Sequence, residues 1–275
     1  MFSGPVYPGK LTNLTVNREN SFIMQRLISF LLFLVFIFFA HARSQNLPDQ
    51  WISLFSGKDL EGWVIRCLPE DSGKNYWNAG NGYIECNSLG DPDHHYVWLV
   101  SEMEFGDFHL KLEFQVFRAS AGNSGVQFRS RYDHTENARD GGWLNGPQAD
   151  IHGPVPWRTG LIYDETEGVQ RWIFPSLPDW NIQEKQVPAT ALKTSLVYHE
   201  DEPDEWNSME IICRGMRVKT LVNGNLVADF DGDGILDDEA HLARGVGSRG
   251  SIALQLHMND ELRIRFRNLL IKEYH

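Results

Sequence analysis

Phe108-His109-Leu110-Lys111-Leu112-Glu113-Phe114-Gln115-Val116 decides the fold class. Every second side chain from Phe108 is apolar and those between are polar, the period of a strand with one buried face. The same period recurs on both sides of this stretch. Val126 and Phe128 alternate with Gln127 and Arg129, and Met209, Ile211 and Cys213 with Glu210 and Ile212. Ile252, Leu254 and Leu256 alternate with Ala253, Gln255 and His257, and Ile264 and Phe266 with Arg263, Arg265 and Arg267. Asn223-Gly224 separates the runs Val218–Val222 and Leu226–Phe230. A type I′ hairpin turn needs positive φ at both central residues, and Asn-Gly supplies it. Arg214-Gly215 and Asn259-Asp260 are weaker turn signals. No window after residue 43 follows the helical period of 3.6, and no internal repeat or low-complexity linker interrupts the chain. The spacing predicts one domain of ten to fourteen short antiparallel strands folded as an all-β two-sheet sandwich.

Composition agrees. The 275 residues are 42% apolar, enough for a packed core, and 12% aromatic with 24 glycines and 9 tryptophans. That balance leans towards strands and turns. The formal net charge of −12 argues against nucleic acid, whose phosphates are bound by Lys and Arg. The N-terminal region reads differently. Leu27–Ala40 is a run of fourteen uncharged, almost wholly apolar residues, preceded by Arg26 and followed by Ala40-His41-Ala42. A bilayer span takes about 20 residues. A basic flank, a short apolar core and a small-residue exit are the marks of a secretory signal peptide. Met24, two residues before Arg26, is the expected start, so residues 1–42 are read as an over-long N-terminus plus signal, and 43–275 as the domain. Those 233 residues carry 22 Lys+Arg and 36 Asp+Glu, a net charge of −14. An exported protein, periplasmic or extracellular and free of the membrane once cleaved, is expected. Cys67, Cys86 and Cys213 would then lie in an oxidising compartment, either with Cys67 and Cys86 paired or with all three thiols free.

The residues that could carry chemistry lie on the polar faces of the strands. Gln148-Ala149-Asp150-Ile151-His152 puts three polar side chains on one face of a strand. Gln127 shares a parity with Arg129, and Gln255 with His257, so three strands together suggest a concave polar site. Sandwich glycosidases use two carboxylates flanking the scissile bond. Here Gln148 and His152 occupy the positions where a Glu-x-Asp-x-Glu strand would carry them, which disfavours an ordinary retaining glycosidase. Asp164 and Glu165 are further carboxylates, but adjacent strand residues face opposite ways. The irregular stretch between Arg131 and Gln186 holds Trp143, Trp157, Trp172 and Trp180, which could either stack on sugar rings or cover a sheet edge. Asp229–Glu239 resembles a calcium loop, with acids at positions 1, 3, 5 and 9 and glycine at 6. It follows a strand rather than a helix, however, and has Ala240 at position 12. His94-His95 could ligate a metal, but adjacent histidines in a polar loop are more often solvated. Metal binding is left open.

Several ordered motifs resemble those of the 3-keto-disaccharide hydrolase domain family. They are Leu54-Phe55-Ser-Gly57-Lys-Asp59-Leu60-Glu-Gly62-Trp63, Asn123-Ser124-Gly125-Val-Gln-Phe128-Arg129, Gly146-Pro-Gln148-Ala-Asp150-Ile151 and Gly160-Leu-Ile-Tyr163-Asp164-Glu165. Gly250-Ser-Ile252-Ala-Leu254-Gln255-Leu-His257 and Phe266-Arg267-Asn268-Leu269 extend the resemblance over about residues 50–274. It implies a concanavalin-like jelly-roll sandwich and an exported enzyme cleaving 3-keto-glycosides, by elimination and then hydration, with a carbohydrate partner and no cofactor. A C3 ketone acidifies the C2 proton, so this chemistry needs one base, one acid and an enolate stabiliser. In that scheme Asp150 or His152 is the base, His257 the acid or its partner, and Arg129 the enolate stabiliser. Asn123, Gln148, Tyr163 and Gln255 would bind substrate. A non-catalytic carbohydrate-binding module and a conventional glycoside hydrolase are the alternatives.

Overall fold

A computed structural model of the chain describes Met1, Gly4 and residues 50–274 apart from Ala121, Pro154 and Val155. The chain divides into the units Met1–Pro48 and Asp49–His275. The apolar run 27–40 and its Ala40-His41-Ala42 exit lie outside the described residues. Among the described residues no helix is long and apolar enough to cross a membrane.

Sixteen strands among the described residues form two antiparallel sheets. The first holds β1 (Ile52–Ser53), β3 (Trp77–Gly80), β4 (Tyr83–Asn87), β6 (Phe108–Val116), β12 (Asn207–Arg214), β13 (Arg217–Val222), β14 (Asn225–Asp231) and β16 (Arg263–Glu273). Its order is β14-β13-β12-β6-β16-β4-β3, with β1 also on β16. The second holds β2 (Trp63–Arg66), β5 (Val97–Phe105), β7 (Ser124–Asp133), β8 (Trp143–Asn145), β9 (Pro147–Ile151), β10 (Ile162–Asp164), β11 (Arg171–Phe174) and β15 (Gly250–Leu256). It runs β11-β10-β9-β7-β15-β5-β2, with β8 also on β7. This is the expected all-β jelly-roll sandwich, with a few more strands than the spacing predicted.

The alternation read from sequence becomes the core. Phe108, Leu110, Leu112 and Phe114 of β6 are buried in one apolar cluster with Val126 and Phe128 of β7, Leu254 of β15 and Phe266 of β16. The intervening His109, Lys111 and Glu113 are only partly covered. Asn223 and Gly224 take φ of 49° and 74° in the β13–β14 hairpin, as the type I′ turn requires. Cys86 and Cys213 are buried, Cys67 is half-buried, and all three are unpaired.

One break in the period governs the site. Ser130 faces Ser251 in the β7–β15 register, but Gln127 faces Ala253, so β7 carries one extra residue between them. Arg129 sits in this bulge at φ 50°. A bulge resets side-chain parity, so Arg129 leaves the face it would share with Gln127.

Candidate active site

Three strands of the second sheet, with the residue just past the end of one, bring polar residues to its face away from the core. In β9, Ala149 and Ile151 enter the apolar cluster, which turns Gln148 and Asp150 the other way. Tyr163 of β10 lies opposite Gln148. Glu165, two residues on from Tyr163, has its backbone locked: its N–H donates to Gly146 O (3.0 Å) and its carbonyl accepts from Trp143 Nε1 (2.6 Å). Gln255 of β15 donates through Nε2 to Glu165 Oε1 at 3.1 Å. Trp143, Trp98 and Tyr96 pack as a wall over the middle of the same face. Beside it opens a cavity of 510 Å³, within the roughly 300–1,000 Å³ usual for small-molecule sites. Asn123, Gln148, Asp150, Tyr163, Glu165 and His257 line it, with Arg139 and Arg158 adding cations and Trp172 and Trp180 aromatic surface.

The two carboxylates are desolvated to different extents of compensation. Burial pushes Asp150 up to about 6, while the Arg158 charge and the Gln148 amide pull against that rise. Arg158 Nε stands 3.4 Å from Asp150 Oδ2, and Gln148 Nε2 donates to Oδ1 at 3.3 Å. Burial pushes Glu165 up to about 7. The Gln255 hydrogen bond offsets part of this, but the charges of Asp150 and Asp164 add to it. Glu165 is therefore the more readily protonated of the two, since its hydrogen-bond partner is a neutral amide and Asp150 has a guanidinium.

His257 is pushed down by burial, with Asp260 pulling it back up. Its Nδ1 faces Met258 O at 3.0 Å and so carries the proton, leaving Nε2 to accept from the Tyr96 hydroxyl at 2.8 Å. Burial raises the Tyr96 phenol well above its usual value, so Tyr96 is a donor that stays protonated. Asn123 Oδ1, Gln148 Oε1 and Asp150 Oδ2 are buried acceptors at this cavity with no hydrogen-bond donor, and Gln255 Oε1 is a fourth behind Glu165. A ligand rich in hydroxyl donors matches such a set.

Five of the eight sequence-derived residues thus line one cavity: Asp150, His257, Asn123, Gln148 and Tyr163. Gln255 supports it from behind by orienting Glu165. His152 is a correction. It lines a separate small cleft with Tyr198 and Leu196 instead of this cavity, and burial, with the charges of Arg158 and His257, pushes it down to about 4. Arg129 is the second correction. Displaced by the bulge and fully buried, it donates to the carbonyls of Gly106, Gly215 and Gly247 and pairs with Asp107 at 3.0 Å. It ties turns of the two sheets together and does not line the cavity.

Of the two further carboxylates Asp164 and Glu165, which face opposite ways as expected of neighbours, Glu165 lines the cavity. Asp164 is buried 3.1 Å from His241 Nε2, whose Nδ1 lies 2.8 Å from Asp238. His241 belongs to the short helix α1 (Glu239–Arg244). The shared parity of Tyr163 and Glu165 was the available signal. Arg139 and Arg158 come from irregular backbone and left no periodic trace. Of the four tryptophans, Trp143 is wall, Trp157 packs against the core, and Trp172 and Trp180 line the cavity.

No metal cluster of His, Cys, Asp and Glu forms among the described residues. In the acidic loop Asp229 pairs with Arg217 at 2.8 Å and Lys219 at 3.1 Å, and Asp237 accepts from Gly234 N–H. His94 is buried between the carbonyls of His95 and Asp260, and His95 contacts Asp71.

The family described as 3-keto-alpha-glucoside-1,2-lyase-like domain matches residues 50–272. No curated protein matches the chain. Among solved structures, a candidate glycosyl hydrolase from Parabacteroides distasonis ATCC 8503 has a TM-score of 0.51 at 18% identity, covering 82% of this chain and 94% of that one. A second from the same organism gives 0.46 at 21%, over 82% and 100%. The carbohydrate-binding module CBM66 from Bacillus subtilis gives 0.40 at 13%, over 77% and 96%. The first of these likenesses establishes a shared fold and nothing finer.

Proposed function

We propose, on the premise that the chain belongs to the 3-keto-alpha-glucoside-1,2-lyase-like family, that it is an exported enzyme cleaving 3-keto-glycosides with net addition of water. The observation that carries this reading is a pair of buried carboxylates, Asp150 and Glu165, raised to about 6 and about 7 in one cavity with Arg158 beside the first. Groups poised near neutrality suit proton transfer in both directions. Ionised Asp150 removes the C2 proton, and the electrons pass to the C3 oxygen as an enolate facing the Arg158 guanidinium. The C1–O bond then breaks, and protonated Glu165 delivers its proton to the departing oxygen. In the hydration half, water adds at C1 and gives its proton to Glu165, while Asp150 returns the first proton to C2. Arg158 takes the part first expected of Arg129. The acceptors of Asn123 and Gln148, and the Tyr96 oxygen whose proton goes to His257, accept from and so orient substrate hydroxyls. Export rests on the 27–40 segment and its flanks, with residues 43–275 as the mature domain.

The decisive assay incubates the protein with a 3-keto-glucoside and its unoxidised parent. Release from the keto form alone is expected, with a bell-shaped rate whose limbs fall near pH 6 and 7. Release from the parent alone would make it a conventional glycosidase, and binding without turnover of either a binding module.

A further inference from the structure

Trp180 is 71% exposed, the most exposed large apolar side chain among the described residues after Met1. Its indole leaves most of its flat face open to solvent. It is also part of the cavity that holds Asp150 and Glu165. Its backbone is fixed although its ring is free. Trp180 O accepts from Trp172 Nε1 at 2.9 Å, and Trp172 N–H donates to Asp179 O at 3.4 Å. Asp179 Oδ1 in turn accepts from Asn181 N–H at 2.7 Å. Trp172 itself is 2% exposed and packs edge-on against Tyr163 at 5.1 Å. The indole thus stands on a braced loop at the mouth of the cavity, while the hydrogen-bonding groups lie deeper. The buried hydrogen-bonding groups Gln148, Asp150 and Glu165 lie inside, and the flat apolar surface of Trp180 is outside.

We propose that Trp180 is a specificity residue for the leaving group: its indole receives the flat apolar face of a ring attached at C1, so cyclic leaving groups are preferred over small acyclic ones. This rests on the keto-glycoside reading for the reaction but not for the contact itself. A pyranose ring and an aryl group share the required chemistry, a flat face bearing C–H or π surface.

The test compares wild type, Trp180→Ala and Trp180→Phe on 3-keto-glucosides bearing a glucosyl, a phenyl or a methyl leaving group. The ratio of kcat/KM for a cyclic substrate over the methyl one should fall roughly 10–30-fold in Trp180→Ala, the ordinary loss for truncating an aromatic anchor. The loss should sit in KM, and Trp180→Phe should restore most of it. A fall for glucosyl alone, phenyl alone or both supports the proposal and identifies the ring. An unchanged ratio, or equal loss on all three, overturns it. If wild type turns over no keto substrate, the functional reading fails separately. Calorimetric titration with the unoxidised glucosyl-glucoside and methyl glucoside then decides Trp180 by the same ratio of affinities, and absence of discrimination overturns the proposal.

Discussion

Two polar strand faces of this molecule share a period and differ in everything else. On the outer face of the first sheet, Arg263 and Arg265 both reach Glu85, at 3.2 and 2.6 Å, and Arg267 reaches Glu113 at 2.6 Å. Arg265 also covers the Tyr83 ring at 4.4 Å and Arg267 the Trp206 ring at 4.1 Å. Each charge there has an opposite charge within reach and keeps contact with water. On the site face of the second sheet, Gln148, Asp150 and Gln255 are buried; the two amides each keep an oxygen without a donor, and Asp150 is met by one guanidinium, Arg158 at 3.4 Å. Alternation tells that a face is polar. Burial tells an exterior from a candidate site, because a desolvated acceptor costs stability that a ligand, an ordered water or a reaction must offset.

The largest expected effect tests that distinction by activity. Asp150→Asn keeps shape and removes the base, so kcat on a 3-keto-glucoside should drop roughly 10²–10⁴-fold, the usual worth of a positioned proton-transfer group. Glu85→Gln, on β4 of the other sheet, should leave kcat within about twofold. Comparable losses of turnover in both variants would erase the contrast between the faces.

Arg129 belongs to neither face. It is a buried cation whose donors meet three carbonyls and a carboxylate. Arg129→Ala strands those acceptors at the junction of the sheets and should cost roughly 3–5 kcal/mol in equilibrium unfolding. A variant of unchanged stability that lost turnover would return Arg129 to the chemistry.

This is also where legibility ended. The sandwich, the Asn223-Gly224 hairpin and the core residues of β6 could be read directly because period-2 burial is a local property of each strand. Gln148 and Asp150 were legible for the same reason. Arg129 was misread because the bulge that redirects it arises from pairing with β15, which no single strand records. His152 lines a different cleft because it lies past the end of β9, where strand parity no longer applies. Glu165 was visible as a carboxylate but lacked its context, the Gln255 hydrogen bond and the burial that raises it. Arg139, Arg158 and Trp180 sit on backbone without a period, so only the folded chain assembles them with the strands.

The smallest effect separates the faces by the sign of a pH dependence. Glu165 has an ordinary value of 4.5 and is raised to about 7 when folded, chiefly by burial. Between those values the native state holds more protons than the unfolded state, so its stability falls as pH rises through the window. Gln at this position keeps an acceptor for Gln255 and cannot ionise. Glu165→Gln should therefore match wild type near pH 4 and exceed it above pH 7 by about 3 kcal/mol, the free energy of a shift this size. Asp150 contributes in the same direction up to about pH 6. Asp229, on the outer face, has the opposite sign. Its hydrogen bond to Arg217 is the leading cause holding it below 3.8. Its contribution is present above that pH and is lost as pH falls through the lowered folded value. Asp229→Asn should thus be less stable than wild type at neutral pH and converge with it in acid. Thermal melts of both variants from pH 3 to 8 should give slopes of opposite sign. A Glu165→Gln variant that gains nothing in alkali would mean the carboxylate is solvated in the folded protein, and the raised acid required for the leaving-group step would be gone with it.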